Sequence, residues 1–457
     1  MSGENISGFR HPGDVDVRSF KLITAVGQII DIQPITTEFN IYQSITEHYL
    51  QCDLVINDSL GLLNTINIDK NSDVQGGFSG GDVLAVSYKT NDGSLKYNSH
   101  FFSLYELSDR TRVEDKSEAY ILSGISLEAY PAALNKISRA YGGESGSEVS
   151  GMVSSVLGEF MDSRNIKDTH ETLRTLSGVR VVKENDIEDT VGKQKFILPN
   201  LSVDDSIDFF TKEAVSVDNT PYFFFYENSN GFNFKSIGSL TSQEVKQKYQ
   251  FEVSNATGAY KNDGKQPEDN EAFNIVSFDV VKQGNFLDNL ESGMFRTKTI
   301  HLDVLKKNKR EAIYSYEKQF PRFKGLQKFR IPGGDVQESS VVRMSLSRKG
   351  HDSDALFTDE NPAPKKYTET LSQGEGFMNH IFNSQIDVAI PGDSELNVGD
   401  IVYLKIPPAT NLKEQDGNED KYLSGKYLVI NLRHKLLDGT DQMSTFLECV
   451  KDTGVKQ

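Results

Sequence analysis

The chain contains no tryptophan and only two cysteines among its 457 residues. A structural metal site needs more ligands than Cys52 and Cys449 supply, so the sequence argues against one built on these thiols. Each cysteine lies in or beside a run of β-forming residues. We therefore expect two buried, inert thiols in a protein made in a reducing compartment.

Long hydrophobic runs are also absent. No stretch of 18 or more apolar residues occurs, which predicts a globular chain without a membrane span. The first 17 residues are polar and rich in Gly and Asp, and they lack the apolar core of a signal peptide. We expect no secretion by that route and a flexible N-terminal arm at residues 1–18.

Basic residues are fewer than acidic ones, at 49 against 66, and the formal net charge is −17. This balance argues against a general nucleic-acid-binding protein, which needs a cationic surface. It suits a surface past which polyanions move without sticking. An ordinary acidic, solvated surface accounts for the same charge.

Catalytic motifs are missing. The sequence has no His-Glu-x-x-His, no Gly-x-Ser-x-Gly and no spaced Cys or His cluster. The Gly-rich run at 76–81 is followed by a β-type run without Lys-Ser or Lys-Thr, which indicates a turn and not a phosphate loop. His351 and Asp352 are adjacent, but this is an isolated pair that chance explains. We predict no catalytic, cofactor or metal site and no enzymatic activity, although paired carboxylates leave no sequence signature.

Two similar β-rich segments form the main positive signal. In the C-terminal segment, an alternating run at 386–390 precedes a Gly-Asp pair at 399–400 and an apolar run at 401–406. Further β-branched and aromatic runs follow at 426–430 and 444–450. Such short runs, bounded by Gly, Asp and Pro, are typical of strands.

The N-terminal segment repeats this order. Its strand-like runs lie at 54–56, 83–88, 100–105 and 119–123, and the Gly-Asp pair at 81–82 again precedes the second run. The positions Phe101 and Ile121 are 20 residues apart, as are Tyr427 and Leu447. We interpret this as duplication of one β-rich domain. Because identity between the segments is low, chance similarity of two β meanders remains an alternative.

The region between the two segments has helical as well as strand periodicity. The spacing of Ala133, Leu134, Ile137 and Tyr141 predicts a helix, and two more apolar stripes follow before residue 177. Ser202 has capping-box form and predicts the start of another helix. The aromatic run 222–226 should pair with 232–235 as a buried hairpin rather than stack on nucleic-acid bases.

The predicted fold class is α+β, mainly β, with two similar tube-type β-barrel domains. Residues 306–350 carry twelve Lys and Arg against four acids, which indicates either a solvated loop or a docking surface for an acidic partner or nucleic acid. The predicted divisions are an arm at 1–18, a first barrel at 19–128, an α+β insert at 129–254, a linker at 255–271, a second barrel at 272–305 and 370–457, and a basic, Pro-containing insertion at 306–369.

A further pattern of turns and strands runs through most of the chain, at residues 55–63, 81–86, 101–108, 120–123, 134–141, 156–157, 286–290, 399–402 and 425–429. This pattern resembles the central baseplate hub protein of contractile-tailed bacteriophages, and it is similar to the N-terminal hub portion of type VI secretion spike proteins. The basic segment 306–350 and the Pro-containing loop 352–366 match nothing in the family pattern.

The resemblance implies a structural virion protein of the tail baseplate, made in the host cytoplasm. It implies a homotrimer whose two barrels per chain form a pseudo-sixfold ring. The implied partners are the tail tube or tube-initiator protein, the central spike, the tape measure protein and baseplate wedge proteins, with DNA only in transit through the lumen.

Three alternatives remain open from the sequence. A related contractile-injection or type VI secretion hub has the same fold, although a chain that ends at Gln457, soon after the last strand-like run, favours a separate spike protein. A cell-wall polysaccharide hydrolase requires two carboxylates facing each other in a cleft. A nucleic-acid-binding protein requires that the basic segment bind DNA in a salt-dependent way.

Overall fold

The computed structural model describes most of the chain. The described residues are 13–66, 78, 81–90, 96–114, 117–142, 147–218, 220, 222–251, 273–303, 307–322, 325–326, 331, 341–346, 367–408, 419–437 and 442–453. Five predicted features lie wholly or mainly outside them: residues 1–12 of the arm, the Gly-rich run, the linker 255–271, the pair His351–Asp352 and the Pro-containing loop 352–366. The arm is shorter than expected, because a strand begins at Val15.

Strands dominate the described residues, which confirms the predicted α+β, mainly β class. The N-terminal strands are β1 Val15–Ile23, β2 Ile29–Asp31, β3 Thr36–Ser44, β4 Gln51–Asp58, β5 Val83–Thr90, β6 Asn98–Glu114, β7 Ser117–Ser126, β8 Lys136–Tyr141, β9 Asp186–Ile187 and β10 Phe196–Ser202. The remaining strands are β11 Phe223–Asn228, β12 Gly231–Ser236, β13 Val245–Gln250, β14 Ser277–Gln283, β15 Arg296–Asp303, β16 Asn308–Ser315, β17 Val341–Leu346, β18 Ser384–Pro391, β19 Ile401–Lys405, β20 Gly425–Leu437 and β21 Gln442–Lys451.

The helices are short and lie mainly between the two β-rich segments. They are α1 Leu62–Thr65, α2 Ala129–Leu134, α3 Val149–Val156, α4 Arg164–Ser177, α5 Val203–Glu213, α6 Ile237–Thr241, α7 Phe286–Glu291, α8 Tyr316–Gln319 and α9 Tyr367–Ile381. A π-helical turn, Leu157–Met161, extends α3, and single 3₁₀ turns occur at Gln33–Ile35 and Phe320–Arg322. None of these helices is both long and apolar enough to span a lipid bilayer.

One large sheet contains thirteen strands from both ends of the chain. Its main path is β14-β18-β21-β20-β3-β4-β7-β6-β5-β1-β2, and β19 branches from β20 to pair with β13. The alternation of buried and more exposed residues along strands such as β4 and β18 turns one face of the sheet towards an apolar core.

The sheet contains the same strand order twice. The path β3-β4-β7-β6-β5 in the first repeat corresponds to β14-β18-β21-β20-β19 in the second, and every neighbouring pair is antiparallel in both. We use "repeat" below for each of these five-stranded sets. The duplicated order of turns and runs in the sequence therefore has a matching strand topology.

The two repeats also share their pairing register. Leu104 lies opposite Gly124 just before a bulge in β6, and Val429 lies opposite Cys449 just before a bulge in β20. This register makes Phe102, one residue after the position expected from the sequence, the equivalent of Tyr427. Because neighbouring side chains in a strand point to opposite faces, Phe101 points away from the N-terminal core that Phe102 enters.

Equivalent positions fill two separate apolar cores. Both members of each pair are buried, the first in the N-terminal core and the second in the C-terminal core. The matched pairs are Cys52 and Ile386, Leu54 and Val388, Ile56 and Ile390, Leu84 and Val402, Val86 and Leu404, Phe102 and Tyr427, Leu104 and Val429, and Leu122 and Leu447. Cys52 and Cys449 are both buried and unbridged, as expected, and they occupy non-equivalent positions.

The repeats differ in the sixth strand. β1 runs antiparallel to β5, whereas β13 runs parallel to β19. The sequence interpretation placed residues 245–250 in the insert, but their backbone partner belongs to the second repeat.

The α+β insert has its own core between the repeats. Helices α3 and α5 pack with the hairpin β11-β12, whose aromatic side chains are buried as predicted. Ser202 caps α5 by accepting a hydrogen bond from the Asp205 amide at 3.0 Å, which also agrees with the sequence. Residues 136–141 were expected to be helical but form β8, because they pair with β10.

A small sheet, β16-β15-β17, stands apart from the large one. It includes Arg296–Asp303, which the sequence interpretation placed in the second barrel, and part of the basic segment 306–350. Within that segment, Glu311 pairs with Lys298 at 2.8 Å and with Lys309.

Buried ions attach the insert to the first repeat. The Lys183 ammonium lies 2.6 Å from a carboxylate oxygen of Glu128 and 2.6 Å from one of Glu227. His170 approaches Glu128 at 3.3 Å, and the Leu50 amide donates to Glu227 at 3.1 Å. Burial alone raises the pKa of both carboxyls; the charges of Lys183 and His170 more than offset this at Glu128, whose pKa falls to about 2, while the pKa of Glu227 stays raised.

Removal of the Lys183 charge should therefore be costly. We expect Lys183→Met to lower the free energy of unfolding by about 3–5 kcal/mol, because it leaves the buried Glu227 without its cation and Glu128 with His170 alone. Lys235→Met is the matched control, since Lys235 pairs with the exposed Asp186 at 2.7 Å and should cost below about 1 kcal/mol. Urea denaturation measures both, and equal losses would contradict the assignment.

Gly124 tests the packing of the first core. An added Cβ would lie 2.8 Å from Cys52 Sγ and 3.0 Å from Leu104 Cδ2, so Gly124→Ala should destabilise the protein by about 1–3 kcal/mol through overpacking. Gly151 in α3 is the control, because nothing lies within 4 Å of its added Cβ and alanine favours the helix. A Gly124→Ala protein with an unchanged melting temperature would contradict this packing.

Candidate assembly surface between the two repeats

Eight strands form a continuous region in which the two repeats meet. We call β14-β18-β21-β20-β3-β4-β7-β6 the central band; four of its strands come from each repeat. The repeats join where residues 431–437 of β20 pair antiparallel with residues 38–44 of β3. We call this pairing the internal junction.

The length of β20 makes the internal junction possible. This strand has 13 residues, and its first part, from Gly425 to Leu428, pairs with β19. The second part extends beyond β19 and therefore presents a free row of backbone groups to β3. Main-chain hydrogen bonding thus continues from one repeat into the other without a break.

Charged side chains fix the register of the internal junction. Arg433 donates to Asn40 Oδ1 at 2.9 Å and to Glu38 Oε1 at 3.1 Å, and Lys435 Nζ lies 2.7 Å from Glu38 Oε2. The Arg433 guanidinium also lies over the rings of Tyr42 and Phe446, at 5.8 and 5.6 Å. A slip by one residue would send these side chains to the other face and break every contact.

Glu38 is held in its charged form. Partial burial acts to raise the pKa of its carboxyl, but hydrogen bonds from Lys435 and Asn40 and the charges of Lys435 and Arg433 lower that pKa below its usual value overall. The cluster is partly exposed, so it specifies the register more than it stabilises the fold.

The other face of the internal junction is apolar and includes a buried histidine. His434 lies opposite Ile41, and its Nδ1 is 3.1 Å from the Thr445 hydroxyl. Burial lowers the pKa of the His434 ring to about 3, so the ring is neutral in the folded protein at neutral pH.

The central band has a polar, acid-rich face. Asp279, Asp387 and Glu448 lie side by side across β14, β18 and β21. They line an open groove of about 840 Å³ together with Glu47 and Arg433. Burial, followed by the charges of Glu448 and Asp279, raises the pKa of the Asp387 carboxyl.

The same face of the sheet is covered elsewhere. Ala85 of β5, Ile23 of β1 and Phe101 of β6 pack against Leu173 of α4. The insert therefore covers part of the first repeat, whereas the acidic row on the second repeat lines an open groove.

No site residue was predicted from the sequence, and the contacts at the internal junction were missed. Glu38 and Arg433 are 395 positions apart, and neither belongs to a local motif. The alternation of β3 and β20 was a usable signal for the face each side chain occupies, but not for the partner strand. Across the described ranges, no group of three or more His, Cys, Asp or Glu residues is placed to hold a metal ion.

Comparison with known proteins finds similarity to a phage baseplate hub protein and to tail proteins. No family model matches the chain. It is 23% identical over 261 residues to the probable baseplate hub protein gp334 of Vibrio phage KVP40. The chain is similar to a phage baseplate hub protein. The match covers 53% of this chain and spans only 55% of the length of that relative.

Two solved structures of tail proteins share the fold over nearly the whole chain. A tail protein from Neisseria meningitidis MC58 superposes with a TM-score of 0.51 and 10% identity, covering 95% of this chain and 96% of that one. A 43 kDa tail protein of prophage MuSo2 from Shewanella oneidensis gives 0.50 and 7%, covering 96% and 100%. The resemblance to baseplate hub proteins inferred from the sequence is confirmed.

The buried histidine should make the fold acid-sensitive. As pH falls below about 6.5, the unfolded chain takes up a proton on His434 while the folded chain does not, so acid favours unfolding until pH reaches about 3. His434→Gln should flatten the pH dependence of the unfolding free energy by about 1.4 kcal/mol per pH unit in this window.

His48 provides a control of opposite sign. Burial acts to lower the pKa of its ring, but Asp204 and Asp208 raise it overall. His48 therefore stabilises the fold at low pH and loses that contribution as pH rises through its folded-state pKa. Urea unfolding at several pH values measures His434→Gln and the control His48→Gln, and an unchanged slope for His434→Gln would contradict the assignment of a neutral, buried His434.

Proposed function

We propose that this chain is a structural hub of a phage-type baseplate. Three copies form a closed ring of six repeats, which joins a sixfold tail tube on one side to a threefold central spike on the other. The observation that carries this proposal is the duplicated strand topology, with both repeats joined in line within one sheet.

Symmetry gives the physical reason. A threefold ring of single domains offers a sixfold tube only three equivalent contacts. Two similar domains per chain offer six, while differences between the repeats retain threefold contacts for the spike. The different sixth strands, β1 and β13, are one such difference.

In this proposal each repeat is the framework of a tube-type barrel domain. The first domain contains β1 to β7, and the second contains β13, β14 and β18 to β21. The insert occupies the outside of the ring, where its helix α4 packs on β1 and β5. The basic segment 306–350 belongs to the second half of the chain. We assign it no part in forming the ring.

The polar face of the central band then lines the lumen. Its row of Asp279, Asp387 and Glu448 has the same sign as DNA, so it repels a passing polyanion instead of binding it. The tape measure protein and DNA pass through this lumen, and baseplate wedge proteins contact the outer surface of the ring. The hub has a structural and not an enzymatic role in the virion.

The test is assembly. The full chain should sediment with three times its mass of 51.1 kDa. It should also bind both the tail tube protein and the spike protein of the same genome at once, since the two use opposite faces of the ring.

A chain that remains monomeric, alone and with both proteins, would overturn the proposal. So would competition between tube and spike for one surface.

A further inference from the structure

The internal junction joins one strand edge of the first repeat to one strand edge of the second. Each repeat also contains the equivalent of the edge that the other repeat uses in this junction. Residues 106–112 of β6 are equivalent to the part of β20 that pairs with β3. β14 is equivalent to β3. Among the described residues, β14 pairs only with β18, and this part of β6 pairs only with β7.

The register of the repeats defines the equivalent residues. Ser108 is equivalent to Arg433, because Ser108 lies opposite Ile121 and Arg433 lies opposite Phe446. Thr111 is equivalent to Lys435, because they lie opposite Ala119 and Ser444. The bulge between Ser108 and Thr111 adds one residue to β6 and is included in this count.

On the other edge, Lys282 of β14 is equivalent to Tyr42 of β3, because they lie opposite Gln385 and Gln51. Asp279 is equivalent to Asn40, because they lie opposite Asp387 and Asp53. Because Arg433 pairs with Tyr42 and Lys435 with Asn40, the same junction elsewhere would pair Ser108 with Lys282 and Thr111 with Asp279.

Exposure differs between the paired and unpaired copies. At the internal junction, Phe39 and Leu432 are each 2% exposed. Their equivalents Phe278 and Leu107 are only partly buried. Val281 on β14 is 52% exposed, and Val113 at the end of β6 is 55% exposed. Long strand edges with exposed apolar side chains are templates for pairing with another chain.

The charges of the two edges are complementary. Along β6 the acids Glu106 and Asp109 precede the bases Arg110 and Arg112. Along β14, Asp279 precedes Lys282. Antiparallel pairing in the stated register therefore places Lys282 diagonally opposite Glu106, which points to the same face of the sheet as Ser108.

We propose that residues 106–112 of β6 pair antiparallel with β14 of a second copy of this chain, with Ser108 opposite Lys282 and Thr111 opposite Asp279. This intermolecular junction repeats the internal one. Because β6 and β14 are different surfaces, the contact is head-to-tail and propagates the central band from copy to copy until the ring closes. The inference rests on the proposed hub and names the surface by which its copies associate.

Disulfide trapping in the purified full chain tests the register. Residues opposite each other on antiparallel strands have Cα atoms about 4.5–5.5 Å apart, which is within the range of a disulfide. The variant Ser108→Cys with Lys282→Cys should give covalent dimers and trimers under mild oxidation. Thr111→Cys with Asp279→Cys provides an independent second pair. The native Cys52 and Cys449 are buried and stay reduced.

Three controls separate this contact from others. Ser108→Cys with Ser277→Cys places the thiols about 17 Å apart along the strand and should not cross-link. Asn431→Cys with Ser44→Cys should form an intramolecular disulfide at the internal junction. A mixture of Ser108→Cys chains and Lys282→Cys chains should give dimers only, and neither single variant should cross-link alone.

The outcomes distinguish this inference from the proposed function. If the chain sediments as a trimer but the two matched pairs link no better than the mismatched pair, the register is wrong and the hub proposal stands. Cross-linking of Lys282→Cys chains with each other would indicate a two-fold contact and overturn the inference. A chain that is monomeric throughout overturns both.

Discussion

The structure depends on one strand that serves two neighbours along the same edge. The first part of β20 pairs with β19 in its own repeat, and the second part pairs with β3 of the other repeat. Backbone amides and carbonyls at a strand edge must be paired or hydrated, so this extension converts two sheets into one. Glu38, Arg433 and Lys435 then fix the register of the connection.

The proposed duplication accounts for the similarity of the two cores despite the low identity of the segments. Pairs such as Leu54 with Val388 and Phe102 with Tyr427 conserve an apolar side chain on the same face, although its size changes. Gly124 opposite Cys52 corresponds to Cys449 opposite Ile386, so a larger residue on one strand is matched by a larger cross-strand partner. The fold tolerates such changes because the alternation that points apolar side chains to the core is kept, although the volume of this pair differs between the repeats.

The sequence was informative about local features and much less about long-range pairing. The β11-β12 hairpin and the Ser202 cap depend on neighbouring residues, and both were predictable. Lys183 pairs with Glu128 and Glu227, which are distant from it in the sequence. No local sequence pattern predicts such contacts. Residues 136–141 had helical spacing, yet pairing with β10 made them a strand, because tertiary contacts override weak local preference.

In the proposed hub, the two repeats of each chain are consecutive units of one ring. A cryo-electron microscopy reconstruction of the assembled protein measures the rotation that relates them. We expect a rotation of about 60° around the same axis that relates the copies by about 120°. Repeats related by a rotation about any other axis would contradict it.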